Sequence, residues 1–157
     1  VKSALAEAWS TSFYAGFVPK APGTAGALVG LLLAFLLQHF LFFTGWHLAG
    51  LAFLLLPFSV WAANVVIAET GLKDPQIIVM DETLGQLLAF GGLGLAAAGP
   101  WEFVAAFAAF RFFDVTKVFP VNLLERLPRG WGVMLDDYGA GLYAAVVLWG
   151  LKAFPIF

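Results

Sequence analysis

Asp81-Glu82 and Asp136-Asp137 are two adjacent-acid pairs in a chain that otherwise avoids charge, and Arg111, Asp114 and Lys117 follow one another at intervals of three. Each acid pair stands where a polar loop gives way to an apolar run. That places each at a helix start, where the helix dipole stabilises negative charge. Helix capping would account for one such pair in isolation. Two pairs and Asp114 brought together would repel and raise one another's pKa. A hard cation removes that conflict, and an oxygen-only donor set of Asp81, Glu82, Asp114, Asp136 and Asp137 suits Mg²⁺ or Mn²⁺. Arg111 and Lys117 carry charge that matches phosphate oxygens, with a local ion-pair ladder along one helical stripe as the plainer alternative. The chemistry within reach of this combination is metal-assisted transfer of a phosphoryl group to water. Asp114, Lys117 and Asp137 are the candidate catalytic groups, with Asp137 a candidate base or nucleophile.

A second constellation precedes the first apolar run. Pro19-Lys20-Ala21-Pro22-Gly23-Thr24 holds two prolines and a glycine, which cannot continue a helix. Thr24 is placed to cap the helix that follows. A turn of this kind presents backbone N–H groups to an anion, so Lys20, Gly23 and Thr24 are candidate phosphate contacts beside Arg111 and Lys117. His39 and His47 fall near the far end of the first helical hairpin, away from the acids, and read as interface residues.

The elements that must position these groups are apolar. Of 157 residues, 62% are hydrophobic and 11% charged, against about 25% charged in soluble domains, which points to a membrane protein. A net charge of −2 without a basic run gives no reason to expect nucleic acid. The absence of cysteine excludes disulfides and thiolate chemistry. The start of the chain lacks the pattern of a signal peptide. Residues 1–20 mix apolar groups with Lys2, Glu7 and hydroxyls, which predicts an interfacial helix. Five apolar segments follow, at about 25–43, 48–68, 83–98, 101–119 and 136–154, each near the roughly 20 residues a spanning helix needs. Pro57 should kink the second, and Asn64 is its polar exception. The expected fold is an all-α, polytopic membrane bundle, a single domain over 1–157 with about five transmembrane helices.

Threading five spans with the N-terminus inside puts seven of the eight basic residues on or near the inner side, as the positive-inside rule expects. The same threading sends the loops 69–82 and 114–138 to that face, which predicts a site facing the cytoplasm. The rival reading is a cation or proton transporter that uses the carboxylates as a relay. It needs polar groups deeper in the bilayer than the helix ends where these acids sit.

Four blocks, PKAPGTAGALVG, IVMDETLGQ, FRFFDVTKVFPV and GVMLDDYGAG, taken in order and spacing, resemble the phosphatidylglycerophosphatase A family over about residues 17–146. The resemblance implies a bacterial inner-membrane enzyme that hydrolyses phosphatidylglycerophosphate to phosphatidylglycerol and phosphate and requires Mg²⁺. It also places the family's acidic positions on Asp81, Glu82, Asp114, Asp136 and Asp137, and its other motif positions on Lys20, Gly23, Thr24, Arg111 and Lys117.

Overall fold

The computed structural model describes residues 3–154, and every regular element among them is helical. In chain order these are α1 (Ala4–Ser10), α2 (Pro22–Leu41), α3 (Gly45–Thr70), α4 (Met80–Ala89), α5 (Pro100–Thr116), α6 (Val121–Leu124) and α7 (Gly130–Leu151), with short 3₁₀ turns at Ala15–Phe17 and Phe90–Leu93.

The bundle is built around its shorter helix, α4. Every residue of α4 except Glu82 is buried, with α2, α3, α5 and α7 packed about it. Its sequence accounts for this position. Apart from Asp81, Glu82, Thr83 and Gln86 its side chains are apolar or small, and the small ones let backbones close in. A Cβ added at Gly141 of α7 would lie 2.5 Å from the Gly85 carbonyl oxygen, and one at Gly26 of α2 would lie 2.6 Å from that of Val79. We expect Gly141→Ala to destabilise the bundle by about 1–3 kcal/mol through overpacking, read as a lowered thermal midpoint in detergent. An unchanged midpoint would mean that α4 and α7 are not held this close.

Helices α2 and α3 are long and apolar enough to cross a membrane, at 20 and 26 residues. The third expected span is different. Instead of one helix over 83–98, ten residues of α4 lead into a 3₁₀ turn and a loop, and ten residues rise only about 15 Å. A hydrocarbon core about 30 Å thick is not crossed by that length. The glycines at 91, 92 and 94 end the helix early. Helix α3 runs unbroken through Pro57, and Asn64 accepts a hydrogen bond from the Gly130 N–H at 2.9 Å, fastening the start of α7.

The N-terminal segment does not form a 20-residue interfacial helix. Among the described residues of this segment only Ala4–Ser10 is α-helical, and the stretch beyond it is tied inward. Trp9 donates to the Ser59 hydroxyl at 2.9 Å, the Val79 N–H donates to the Ser10 carbonyl at 2.8 Å, and the Ser12 and Thr83 hydroxyls lie 2.6 Å apart. Of the hydroxyls that made this stretch look amphipathic, that of Ser12 is turned inward to Thr83 of α4, and that of Thr11 bonds within the stretch, to the Ala8 carbonyl and the Tyr14 N–H. At the other end of the bundle, His47 is a helix cap, its Nδ1 accepting from the Thr44 N–H at 3.1 Å.

Candidate active site

Five chain segments meet at one end of the bundle: the starts of α2, α4 and α7, the end of α5, and the loop 71–79. Helices α2 and α4 run parallel there, because Gly26 faces Val79 and Gly30 faces Thr83. Both therefore direct their N-termini, and the positive ends of their dipoles, at the same place. Between the segments is a cleft of about 410 Å³ lined by Lys20, Gly23, Thr24, Asp81, Glu82, Arg111, Asp114, Lys117, Asp136 and Asp137. All ten residues singled out by type and spacing thus share one cavity.

The acids divide into two sets. Asp81, Glu82 and Asp137 each place a carboxylate oxygen so that the three lie within 4.8 Å of one another. Asp114 and Asp136 are engaged by cations instead: Arg111 donates to Asp114 from one turn earlier on α5, and Lys117 donates to Asp136 on α7. Lys117 is also 3.8 Å from Glu125. The expected single stripe of Arg111, Asp114 and Lys117 is broken at its last member. Lys117 stops α5 in a left-handed conformation, φ +44°, which turns it away from Asp114 and towards α7.

Two local expectations are corrected by the helix boundaries. Asp81 and Glu82 do occupy the first turn of α4, where the dipole favours them. Asp136 and Asp137 do not open a helix, since α7 begins at Gly130 and reaches them only in its second turn. Thr24 is not the cap of α2, which begins at Pro22 after Ala21 with no side-chain cap bond. The first turn of α2 thus keeps backbone N–H groups available on the cleft wall. Lys20 precedes it in a left-handed conformation, φ +73°, which brings its side chain to the cleft rim.

Burial makes the three-carboxylate cluster costly as it stands. It pushes the Asp81 carboxyl well above its usual range, with Glu82, Asp137 and Asp136 adding to the effect. Burial also pushes Glu82 up, opposed by a hydrogen bond with Asp81 and, more weakly, by Arg111. One oxygen of Glu82 is buried with no hydrogen-bond partner. Three converging carboxylate oxygens, with Glu82 carrying a buried oxygen that has no partner, fit a divalent cation of the Mg²⁺ or Mn²⁺ type. Gly23 completes the enclosure, since a Cβ there would lie 2.5 Å from the Glu82 Oε1 and 3.4 Å from the Arg111 Nη1.

The profile of the phosphatidylglycerophosphatase A family matches residues 8–152. The chain belongs to that family. A Haemophilus influenzae protein named phosphatidylglycerophosphatase A is 34% identical over 151 residues, covering 91% of this chain and 86% of its own length. The Escherichia coli protein of the same name is 30% identical over 143 residues, 89% of this chain and 79% of its own. A Bacteroides thetaiotaomicron protein named "Putative phosphatidylinositol-3-phosphatase" is 38% identical over 140 residues, 88% of this chain and 87% of its own. No solved structure matches the chain at a comparable level. As a member of the phosphatidylglycerophosphatase A family the protein is a lipid phosphatase, and the transporter reading is not favoured.

Two further residues line the cleft that sequence reading passed over. Asp74 and Gln76 reach it from the loop after α3. Neither belongs to an adjacent-acid pair or a helix start, so spacing alone offered no signal. Their position beside Asp136 follows only from the return of that loop across the mouth of the bundle.

Proposed function

We propose that the protein hydrolyses the terminal phosphomonoester of phosphatidylglycerophosphate, releasing phosphatidylglycerol and inorganic phosphate, in a Mg²⁺-dependent reaction at the cytoplasmic face of a bacterial inner membrane. The observation that carries this reading is the single cleft in which three convergent carboxylates face two lysines, an arginine and an open helix N-terminus. The names of the Haemophilus influenzae and Escherichia coli relatives support the substrate.

Asp81, Glu82 and Asp137 are the residues that would hold the cation. Bound there, it supplies Lewis-acid polarisation of the phosphoryl oxygens. Lys20 and the N–H groups of Gly23 and Thr24 bind the phosphate from the α2 side. Arg111 and Lys117, oriented by Asp114 and Asp136, neutralise the charge that spreads over the equatorial oxygens as water attacks in line. Asp137, which lies against Asp114, accepts the proton of that water. The P–O bond to the lipid glycerol breaks, and its oxygen takes a proton from solvent water at the cleft mouth and leaves as the alcohol.

The outer faces of the helices fit a lipid substrate. Large apolar side chains such as Leu32, Phe35, Leu54, Val104, Val146 and Trp149 are exposed on α2, α3, α5 and α7. Apolar surface on that scale belongs against acyl chains. A lipid then keeps its tails in the bilayer and presents only its headgroup to the cleft. Two results test the proposal together. Purified protein should release phosphate from phosphatidylglycerophosphate, and a chelator should abolish release until Mg²⁺ is restored. Chelator-insensitive release would refute the metal-dependent reading, and no release from this lipid would refute the substrate.

A further inference from the structure

The shortness of α4 leaves a space behind it. At Ala89 the helix gives way to the 3₁₀ turn Phe90–Leu93 and a loop, while α3 and α7 extend past it. A groove of about 710 Å³ occupies that space, at the end of the bundle away from the acid cluster. Sites for small molecules have about 300–1,000 Å³. Trp46 and Phe53 of α3, Leu88 of α4, and Val146 and Trp149 of α7 give it apolar walls.

The groove is built into the fold, because the chain that floors it is fastened on both sides. The Gly45 and Trp46 N–H groups donate to the Ala96 and Gly94 carbonyls at 3.1 and 2.9 Å. On the other side a Cβ at Gly92 would run into the Ala145 carbonyl of α7. Trp46, Val146 and Trp149 are themselves exposed, so the groove opens on the apolar outer surface of the bundle.

One charged side chain reaches it. Lys152, the residue after α7, lines the groove and donates to the Leu93 carbonyl at 2.9 Å. An ammonium group has three N–H donors, so two are left for a ligand. No acid lines the groove among the described residues. Every other described lysine or arginine belongs to the end of the bundle that holds the acid cleft. A lone cation beside an apolar groove, with two tryptophans at its opening, matches the polarity of an anionic lipid.

We propose that this groove binds one anionic phospholipid of the leaflet opposite the acid cleft. An acyl chain lies between α3 and α7 against Phe53, Leu88 and Val146. The phosphate meets the two remaining N–H groups of Lys152 at headgroup depth, where Trp46 and Trp149 lie. The lipid fills the volume that the short α4 leaves open and is not a substrate. The site stands on the outer surface facing a membrane, and owes nothing to the reaction at the other end.

Native mass spectrometry of the full chain in detergent tests it, with phosphatidylglycerol and phosphatidylcholine of identical acyl chains as the two probes. The monomer should retain one phosphatidylglycerol under conditions where phosphatidylcholine is lost. Lys152→Gln keeps an N–H for the Leu93 carbonyl but removes the charge, and should weaken phosphatidylglycerol retention about 10-fold. Lys152→Arg keeps the charge and should retain the lipid. Thermal midpoints of both variants should match that of the unaltered protein. Equal retention of the two lipids would overturn the proposal. So would a preference for phosphatidylglycerol that survives Lys152→Gln, since the lipid would then be held elsewhere, the acid cleft included. Loss of retention in both variants with a lowered midpoint would show a lysine that serves the fold alone. A lipid-free dimer would put a second copy of the chain in the groove, and either of these last two results removes the lipid site.

Discussion

Asp81→Asn is expected to lower turnover by about 10³-fold, equivalent to about 4 kcal/mol of lost transition-state stabilisation, in a protein that remains folded. Asparagine has the shape of aspartate, so the short bond from the Glu82 N–H to Oδ1, 3.1 Å, can still form. What is lost is one of three charges able to hold a cation. Stability without metal should move the other way. The folded-state pKa of Asp81 is raised above its ordinary value of 3.8. A carboxyl shifted in this direction contributes stability that is present below the unfolded value and is lost as pH rises through the folded one. With chelator at neutral pH, Asp81→Asn should therefore melt higher than the unaltered protein, and the gap should close as the pH approaches about 4. Phosphate release and thermal melts from pH 4 to 8 measure both effects. Wild-type turnover in this variant would remove Asp81 from the site.

Gly23→Ala should be nearly as damaging to activity for the addition of one methyl group. The new Cβ would fall 2.5 Å from the Glu82 Oε1. A carboxylate tip on a flexible side chain can swing aside, so the fold should lose little stability, about 1 kcal/mol or less. The swing displaces Glu82 from the cluster and crowds Arg111, on the wall that is assigned to phosphate. A misplacement of about 1 Å costs roughly 10²-fold in rate where geometry supplies the catalysis. The expected result is a folded protein with about 10²-fold lower phosphate release and a higher Mg²⁺ requirement. Should Gly23→Ala retain full activity, α2 does not press on the site as described.

These variants separate two ways in which the site is held. Asp81, Glu82 and Asp137 are kept together against their own repulsion by the burial of α4 and α7, so removing a charge relaxes the protein. Gly23 is a matter of space. The Gly141→Ala variant tests the same kind of closeness away from the chemistry, where the obstacle is a backbone carbonyl that cannot swing aside.

Residue types and spacing were enough to select ten of the residues that line the cleft, though not Asp74 or Gln76, because charge is rare in this chain and expensive in an apolar environment. Every cluster of charged groups therefore had to have a purpose, and four short blocks in order carried the family. Helical class was equally plain from the long apolar runs. Pairing between the charged groups was not. That Asp114 answers Arg111 while Lys117 turns to Asp136 depends on a left-handed residue ending α5, a backbone choice that no local pattern announces. Nor could the apolar run over 83–98 distinguish a helix that crosses a membrane from one that is buried by its neighbours, since both are rich in apolar and small residues. Only packing showed α4 to be the second kind, short and enclosed. That enclosure brings the carboxylates of Asp81, Glu82 and Asp137 within reach of one cation.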